Sequence, residues 1–140
     1  MNNNLLKAKD SLVKNGYTCV LANENSEYNS TLRGVKPLIG FLESGVNFSG
    51  FSAADKTVGA GAAHLYVLIG VVSVFANVIS REGKRILEEN GISVYYENLV
   101  PYIINRAGNG PCPIETAVKT AASSSEALLV IKETLKNLKG

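Results

Sequence analysis

Cysteine and histidine are scarce in this chain of 140 residues. It contains two cysteines, Cys19 and Cys112, and one histidine, His64. Two cysteines in unlike sequence contexts argue against a disulfide framework, so a reducing cytoplasm is the expected location. They are also too few, with one histidine, to build a closed four-ligand structural zinc site. We therefore expect no zinc, and the sequence leaves the identity of any cofactor open.

Net charge is also small. Fourteen Lys and Arg residues stand against 12 Asp and Glu residues, which gives a formal net charge of +2. A nucleic-acid-binding protein usually carries a stronger basic patch, so no nucleic-acid partner is expected. The first residues, MNNNLLKAKDSLVKNG, lack a continuous apolar core and a small-residue cleavage site. We expect no secretory signal there.

One uncharged run, residues 59–79, is long enough to span a membrane. Gly70 interrupts it, and the VVSVFANVI that follows is rich in β-branched residues. Aromatic or basic anchors do not flank the run as they flank most membrane spans. It therefore predicts a buried helix followed by a buried strand, and no membrane partner.

Hydrophobic periodicity and capping residues predict an alternation of helices and strands. Ser80 is predicted to cap one helix, and Ser123 with Glu126 forms a capping-box pattern before the last one. The predicted elements are helix 3–15, strands 17–22 and 27–31, helix 37–44, strand 48–54, a helix from 58, strand 71–79, helix 81–90, strand 92–98, helix 114–122 and a helix from 124.

This order predicts an α/β fold in a single domain, 1–140. The first two strands form a hairpin, and the last three are joined through helices, which favours parallel pairing with helices on both faces. The predicted architecture is a three-layer α-β-α sandwich with a mixed five-stranded sheet.

Ligands of such sheets bind beyond the carboxyl ends of the parallel strands, near helix N-termini. At the junction 30–37, Arg33 and Lys36 are candidates for binding an anion. At the junction 53–64, Asp55 and Lys56 are candidates for acid/base chemistry. Alternatively, Asp55 caps a helix and the basic residues are solvated.

Gly59 opens a small-residue stretch, GAGAAH, that only weakly matches a dinucleotide-binding fingerprint. His64 stands in place of the third glycine, and the next strand does not end in an acidic residue that would bind a ribose. Small residues here favour close packing of the helix on the sheet. His64 is then a partly buried helix residue rather than a base or a ligand.

Cys112 precedes Pro113, which suits the first position of a helix. Cys112 is then the N-cap, and Glu115 occupies the third helical position, where an acidic residue is favourable. A thiol at a helix N-terminus can also be reactive, with Arg106 favouring and Glu115 opposing its thiolate. Metal binding is a third possibility, although no further ligands are specified. The segment 99–113 before it predicts a buried apolar anchor and an irregular loop of about ten residues, the kind of loop that often carries function.

ADKTVG at 54–59 and ENGISVYYENLVPYIINRAGNGPCPIE at 89–115 carry a family resemblance. They resemble a bacterial and archaeal domain family of unknown function with a cytidine deaminase-like fold, over about residues 5–135. The resemblance implies that fold without deamination. Zinc deaminases need His/Cys-x-Glu and Pro-Cys-x-x-Cys at two helix starts, where this chain has the residues 33–36 and 55–58.

The resemblance also implies a crevice bounded by residues 33–36 and 54–59, with the 105–115 loop able to fold over it. Our first hypothesis is that this crevice binds a nucleotide or a related anionic small molecule. The residues predicted to bind this ligand are Arg33, Lys36, Gly59, Asn105 and Arg106, and Lys56 is also expected to face the charge of the ligand. The catalytic candidates are Asp55, Lys56, Cys112 and Glu115.

Two alternatives remain open, and the sequence does not decide whether the chain is an enzyme. Cys112 could serve a thiol enzyme or a sulfur carrier, by analogy with the formate dehydrogenase accessory sulfurtransferase. The chain could instead be a noncatalytic interaction module that forms a homo-oligomer.

Overall fold

A computed structural model of the chain describes residues 1–105 and 107–139. In that part helices and strands alternate as the sequence predicts. A 3-10 turn, Val118–Thr120, separates the last two helices. The elements are α1 Asn3–Asn15, β1 Cys19–Ala22, β2 Glu27–Ser30, α2 Lys36–Glu43, β3 Ser52–Val58, α3 Ala60–Ile69, β4 Ser73–Ser80, α4 Arg81–Glu89, β5 Ser93–Val100, α5 Pro113–Ala117 and α6 Ser124–Lys139.

The strands form one five-stranded sheet in the order β2-β1-β3-β4-β5. β1 pairs antiparallel with both β2 and β3. β3 pairs parallel with β4, and β4 pairs parallel with β5. The predicted mixed sheet, with a leading hairpin and three parallel strands, is confirmed.

Helices cover both faces of the sheet, as predicted. On one face α1 packs against β1, β3 and β4, through Leu5, Ala8 and Leu12. Asn2 ties the start of α1 to the sheet, because its Oδ1 accepts from the Leu5 N–H at 2.7 Å and its Nδ2 donates to Ser73 Oγ at 3.1 Å. The other face carries a larger core in which α3 and α4 meet the sheet, and α2 and α6 pack on α3.

The uncharged run 59–79 folds as predicted. It forms α3 and β4, and α3 buries small residues, Gly61, Ala62 and Ala63, against its neighbours. A Cβ at Gly61 would overlap the side chain of Ile114, so this glycine permits the close approach of α5. Among the described residues, no helix combines the length and the apolar character needed to cross a membrane.

The polar triplet Asp55-Lys56-Thr57 is strand rather than turn. β3 runs from Ser52 to Val58, and α3 begins two residues later. The prediction that Asp55 lies in a turn or caps a helix is therefore wrong. Because neighbouring side chains on a strand point to opposite faces, Asp55 is buried while Lys56 is exposed.

The apolar residues at the end of β5 and directly after it do not form a buried anchor, contrary to the prediction. Leu99 is 41% exposed, Tyr102 46% and Ile104 59%. β5 lies at the edge of the sheet, so one side of this strand has no neighbouring strand to cover it. An isolated antiparallel bridge joins Ile104 to Pro111, which makes the predicted irregular loop a hairpin-like turn.

Ser80 caps α4, as predicted, because its Oγ accepts from the Gly83 N–H at 3.0 Å. Ser123 likewise accepts from the Glu126 N–H at 3.1 Å at the start of α6. We expect Ser80→Ala to lower the free energy of unfolding by about 1 to 2 kcal/mol, because Ser80 is fully buried and water cannot supply a replacement acceptor for the Gly83 N–H. Ser123→Ala should cost less, because Ser123 is exposed and water can replace its oxygen. Urea unfolding of both variants tests this order, and a larger loss for Ser123→Ala would contradict it.

Candidate functional site

A cleft of about 760 Å³ opens between α3, α4 and the segment 116–125. It begins where the parallel strands end: Ala60 follows β3, Glu82 follows β4, and Pro101 follows β5 directly. This is the edge of the sheet at which α/β folds bind ligands. The cleft then runs along the groove between α3 and α4. The side chains that carry chemistry in it are His64, Glu82, Arg85, Glu89, Asn90, Tyr102, Glu115, Lys119, Ser123, Ser124 and Ser125.

The cation of Arg85 is balanced on α4 itself. Its Nη1 donates to Glu89 Oε2 at 2.6 Å, and its Nε and Nη2 donate to the two Glu82 oxygens at 2.8 and 2.7 Å. The hydrogen bond from Arg85 lowers the pKa of Glu82, and the same contacts raise the pKa of Arg85. Arg85 therefore keeps its positive charge, but two carboxylates of α4 balance that charge.

His64 and Ser124 meet across the cleft wall, where Nδ1 of His64 lies 3.0 Å from Oγ of Ser124. Partial burial is the main cause that lowers the pKa of His64; Arg85 lowers it further, and Glu82 acts in the opposite sense. The imidazole is consequently neutral at neutral pH. As predicted, His64 is a partly buried helix residue.

Glu115 is buried, 5% exposed, and it caps a helix other than its own. Its Oε2 accepts from the N–H of Ala60 at 3.1 Å, at the N-terminus of α3. Gly59 is the N-cap of α3, and a Cβ there would overlap the Glu115 carboxylate. The chain thus places its own anion at the helix start where the sequence predicted an anionic ligand.

Asp55 is linked to a tyrosine and a cysteine inside the large core. The Tyr66 hydroxyl donates to Asp55 Oδ2 at 2.6 Å and lies 3.2 Å from Sγ of Cys19. The Thr57 N–H donates to the other carboxylate oxygen at 3.1 Å. Burial raises the pKa of Asp55 to about 7, and it also raises the pKa values of Cys19 and Tyr66. Asp55 does not line the cleft.

Arg33 and Lys36 are exposed at the start of α2, and neither lines the cleft. The sheet places the end of β2, from which the chain leads to these residues, two strands away from β3. Cys19 on β1 pairs with Ser30 on one side and with Asp55 on the other. Lys56 is also exposed at this end of the sheet. The roles predicted for these three cations remain predictions.

The described residues on either side of position 106, 103–105 and 107–112, are joined by hydrogen bonds, among them those from the Asn105 N–H to the Gly110 carbonyl and from the Cys112 N–H to the Ile103 carbonyl, both at 2.8 Å. The Asn105 side chain accepts from the Asn109 N–H at 3.2 Å and donates to Asn109 Oδ1 at 3.0 Å. Cys112 is the N-cap of α5, as predicted, and it is half-buried against the large core without a side-chain cap bond. Arg106 lies outside the described residues. Thiol chemistry at Cys112 and assembly into a homo-oligomer remain predictions.

Within residues 1–105 and 107–139, no three His, Cys, Asp or Glu side chains cluster closely enough to hold a metal ion.

The sequence did not single out Ser124, Arg85 or Tyr102 as site residues. Helical spacing in the sequence does show which residues of the cleft lie on a common helix face. Residues 60, 64 and 67 share one face of α3, and residues 82, 85, 86 and 89 share one face of α4. Which two helix faces oppose each other is a property of the tertiary structure.

Residues 7–135 match the family described as TM1506, a domain of unknown function (DUF1893). A crystal structure of a DUF1893 family protein, TM1506 from Thermotoga maritima, superposes with a TM-score of 0.82 at 24% identity, covering 98% of this chain and 92% of that one. The dCMP deaminase from the cyanophage S-TIM5, in apo form, superposes with a TM-score of 0.47 at 14% identity, covering 69% of this chain and 99% of that one. No curated protein matches. The family match and the Thermotoga structure confirm the predicted family and its α/β fold.

Proposed function

This chain belongs to the DUF1893 family, and we propose that it binds a small, uncharged polar molecule of about nucleoside size in the cleft between α3 and α4. The observation that carries the proposal is the cleft itself, whose volume of about 760 Å³ falls within the range of small-molecule sites. Its place beyond the carboxyl ends of β3, β4 and β5 supports the same assignment.

The charges around the cleft support an uncharged ligand. Three carboxylates, of Glu82, Glu89 and Glu115, face two cations, of Arg85 and Lys119. Arg85 is already paired with two of those carboxylates. A phosphate placed here would meet an excess of negative charge. Of the predicted class of ligand, a nucleotide or a related anion, these charges favour the base and sugar over the phosphate.

The polar groups of the cleft suit such a molecule. Tyr102, 46% exposed, offers a ring against which a planar group can stack. Asn90 supplies an amide that both donates and accepts, and Ser125 supplies a hydroxyl. Val67 and Ile86 provide an apolar wall.

Thermal unfolding in the presence of nucleosides tests the proposal. A nucleoside present at 100 times its dissociation constant should raise the free energy of unfolding by about 2.7 kcal/mol. The matching monophosphate should give a smaller shift, because its charge meets the cleft carboxylates. Adenosine, guanosine, cytidine and uridine, each with its monophosphate, form the panel.

Tyr102→Ala should abolish the shift. Tyr95→Ala is the matched control, because Tyr95 is 38% exposed on β5 and does not line the cleft. Absence of a shift with every nucleoside, or equal loss in both variants, would contradict the proposal.

A further inference from the structure

We propose that Ser124 and His64 form a nucleophile and general-base pair that cleaves small, uncharged carboxylic esters in the cleft between α3 and α4. The inference rests on the proposed function in one respect, namely that the substrate occupies the same cleft. Neither residue has a role in the binding argument above.

The first support is the geometry of the pair. The separation of 3.0 Å between His64 Nδ1 and Ser124 Oγ is a hydrogen-bond distance, as proton transfer from nucleophile to base requires. Both side chains line the cleft and both are partly exposed, so a substrate can reach them. His64 comes from α3 and Ser124 from α6, two helices that pack against each other.

The second support is the position of Ser124 at the start of a long helix. Ser124 is the first residue of α6, which runs to Lys139. The Glu126 N–H is bonded to Ser123 Oγ, and the Ala127 N–H is bonded to the Ser123 carbonyl. The N–H groups of Ser124 and Ser125 come before these two in the same turn, where a helix has no internal acceptors. In the proposed reaction these two N–H groups, of the nucleophile itself and of its neighbour, would donate to the oxyanion of the tetrahedral intermediate.

The surroundings of His64 suit a base. The charged groups that shift its pKa are Arg85 and Glu82 on α4, which are paired with each other; Glu89, Glu115 and Lys119 also line the cleft. The pKa of His64 is lowered, mainly by partial burial, so the ring is unprotonated at neutral pH. With its proton on Nε2, Nδ1 is free to accept from Ser124.

The chemistry is a balanced acyl transfer. Ser124 Oγ attacks the ester carbonyl carbon while its proton passes to Nδ1 of His64. The carbon–oxygen bond to the alcohol then breaks, and the alcohol leaves with that proton. A water molecule then attacks the acyl carbon while its proton passes to His64. The bond between the acyl carbon and Ser124 Oγ breaks, the carboxylic acid leaves, and the proton returns from His64 to Ser124 Oγ. No oxidant, reductant or metal takes part.

Covalent labelling tests the assignment directly. A fluorophosphonate probe, incubated with the full chain at pH 7.5, should add one adduct by intact mass, and peptide mapping should place it on Ser124. Ser124→Ala should remove the adduct, whereas Ser49→Ala, a change at an exposed serine outside the cleft, should keep it. An adduct absent from the wild type, or located on another residue, overturns the proposal.

The role of His64 needs a readout that a purely structural contact would not move. In a Cys112→Ser background, which removes the half-buried thiol, hydrolysis of p-nitrophenyl acetate should rise with pH as His64 loses its proton. His64→Gln should lower the rate at least 100-fold and flatten the pH profile, with a melting temperature close to that of the parent. An unchanged rate or an unchanged profile in His64→Gln overturns the proposal.

Labelling by the fluorophosphonate depends on Ser124 and His64, whereas the shift in thermal unfolding with nucleosides depends on ligand binding in the cleft. Loss of labelling with retained nucleoside shifts would reject this inference alone. Labelling on Ser124 without any nucleoside shift would reject the proposed ligand class alone.

Discussion

Asp55→Asn is expected to remove a large pH dependence from the stability of this protein. The pKa of Asp55 is raised from 3.8 to about 7 in the folded chain, chiefly by burial. A raised folded-state pKa means that the folded state holds the proton more tightly than the unfolded state. The resulting stability is fully present below pH 3.8 and is lost as the pH rises to about 7. From these two values, the free energy of unfolding should fall by about 4 kcal/mol across that window.

The measurement is urea unfolding of the wild type and Asp55→Asn at a series of pH values from 4 to 8. The difference between the two profiles isolates Asp55, because the exposed carboxylates titrate alike in both proteins. Asparagine keeps an acceptor for the Tyr66 hydroxyl and cannot ionise. We expect the difference to change steadily up to pH 7 and then to level off. Parallel profiles would show that Asp55 is not perturbed by burial.

In a second variant, Tyr66→Phe, we expect the pKa of Asp55 to rise further. The Tyr66 hydroxyl donates to Asp55 and thereby lowers the pKa that burial has raised. Removing this donor should raise the pKa of Asp55 further, so the loss of stability should continue to a higher pH than in the wild type.

Gly59→Ala is expected to destabilise the protein by about 2 to 3 kcal/mol, because its Cβ would displace the Glu115 carboxylate and leave the buried Ala60 N–H without an acceptor. Backbone strain is not the cause, since Gly59 has a φ of −94° that alanine adopts readily. The free energy of unfolding from urea titration measures the effect. Gly40→Ala is the matched control, because a Cβ there meets nothing within 4 Å. That change, inside α2, should be neutral or stabilising.

A double-mutant cycle shows whether Glu115 is the group displaced. Glu115→Ala should itself be destabilising, because it removes the same hydrogen bond. In that background the conflict with the carboxylate is relieved and only the contact with Ile103 Cγ1 at 3.0 Å is left, so adding Gly59→Ala should cost much less than it does in the wild type. Additive losses would show that the two residues do not interact.

The framework of the fold follows from local sequence patterns. The uncharged run at 59–79 divides at Gly70 into a helix and a strand, since a glycine in the left-handed conformation ends α3. Ser80 could be predicted as an N-cap for a similar reason, because a serine directly before a helical segment often caps it. These features are encoded within a few neighbouring residues, which is why they could be predicted.

The predictions of a turn at Asp55 and of a buried anchor from residue 99 were wrong because residues far away in the sequence determine whether these side chains are buried. Asp55 resembles a turn residue, yet a hydroxyl eleven positions later, on Tyr66, satisfies it inside the core. Leu99 and Ile104 look like core residues, but they follow or belong to an edge strand, and local hydrophobicity does not distinguish an edge strand from a central one.

The candidate site was the least predictable part. His64, Arg85, Tyr102 and Ser124 come from three helices and a turn, and only packing brings them around one cleft. His64 gave no local sign of its partner, because Ser124 lies 60 positions away. The cleft opens beyond the carboxyl ends of the parallel strands, which is the edge of the sheet at which the sequence predicts a ligand. Its position, nearer β4 and β5 than residues 33–36, depended on how α6 returns across α3.

The packing of α1 on the far face of the sheet leads to an expectation about dynamics. α1 is held by a small cluster, Leu5, Ala8 and Leu12 against four sheet residues, while the large core lies on the other side. Detaching α1 would therefore leave the contacts within the large core in place. We expect this helix to open as a separate unit, with amides that exchange with solvent at a lower free-energy cost than global unfolding. Hydrogen exchange of the native protein should then show faster exchange in α1 than in α3, on the opposite face of the sheet.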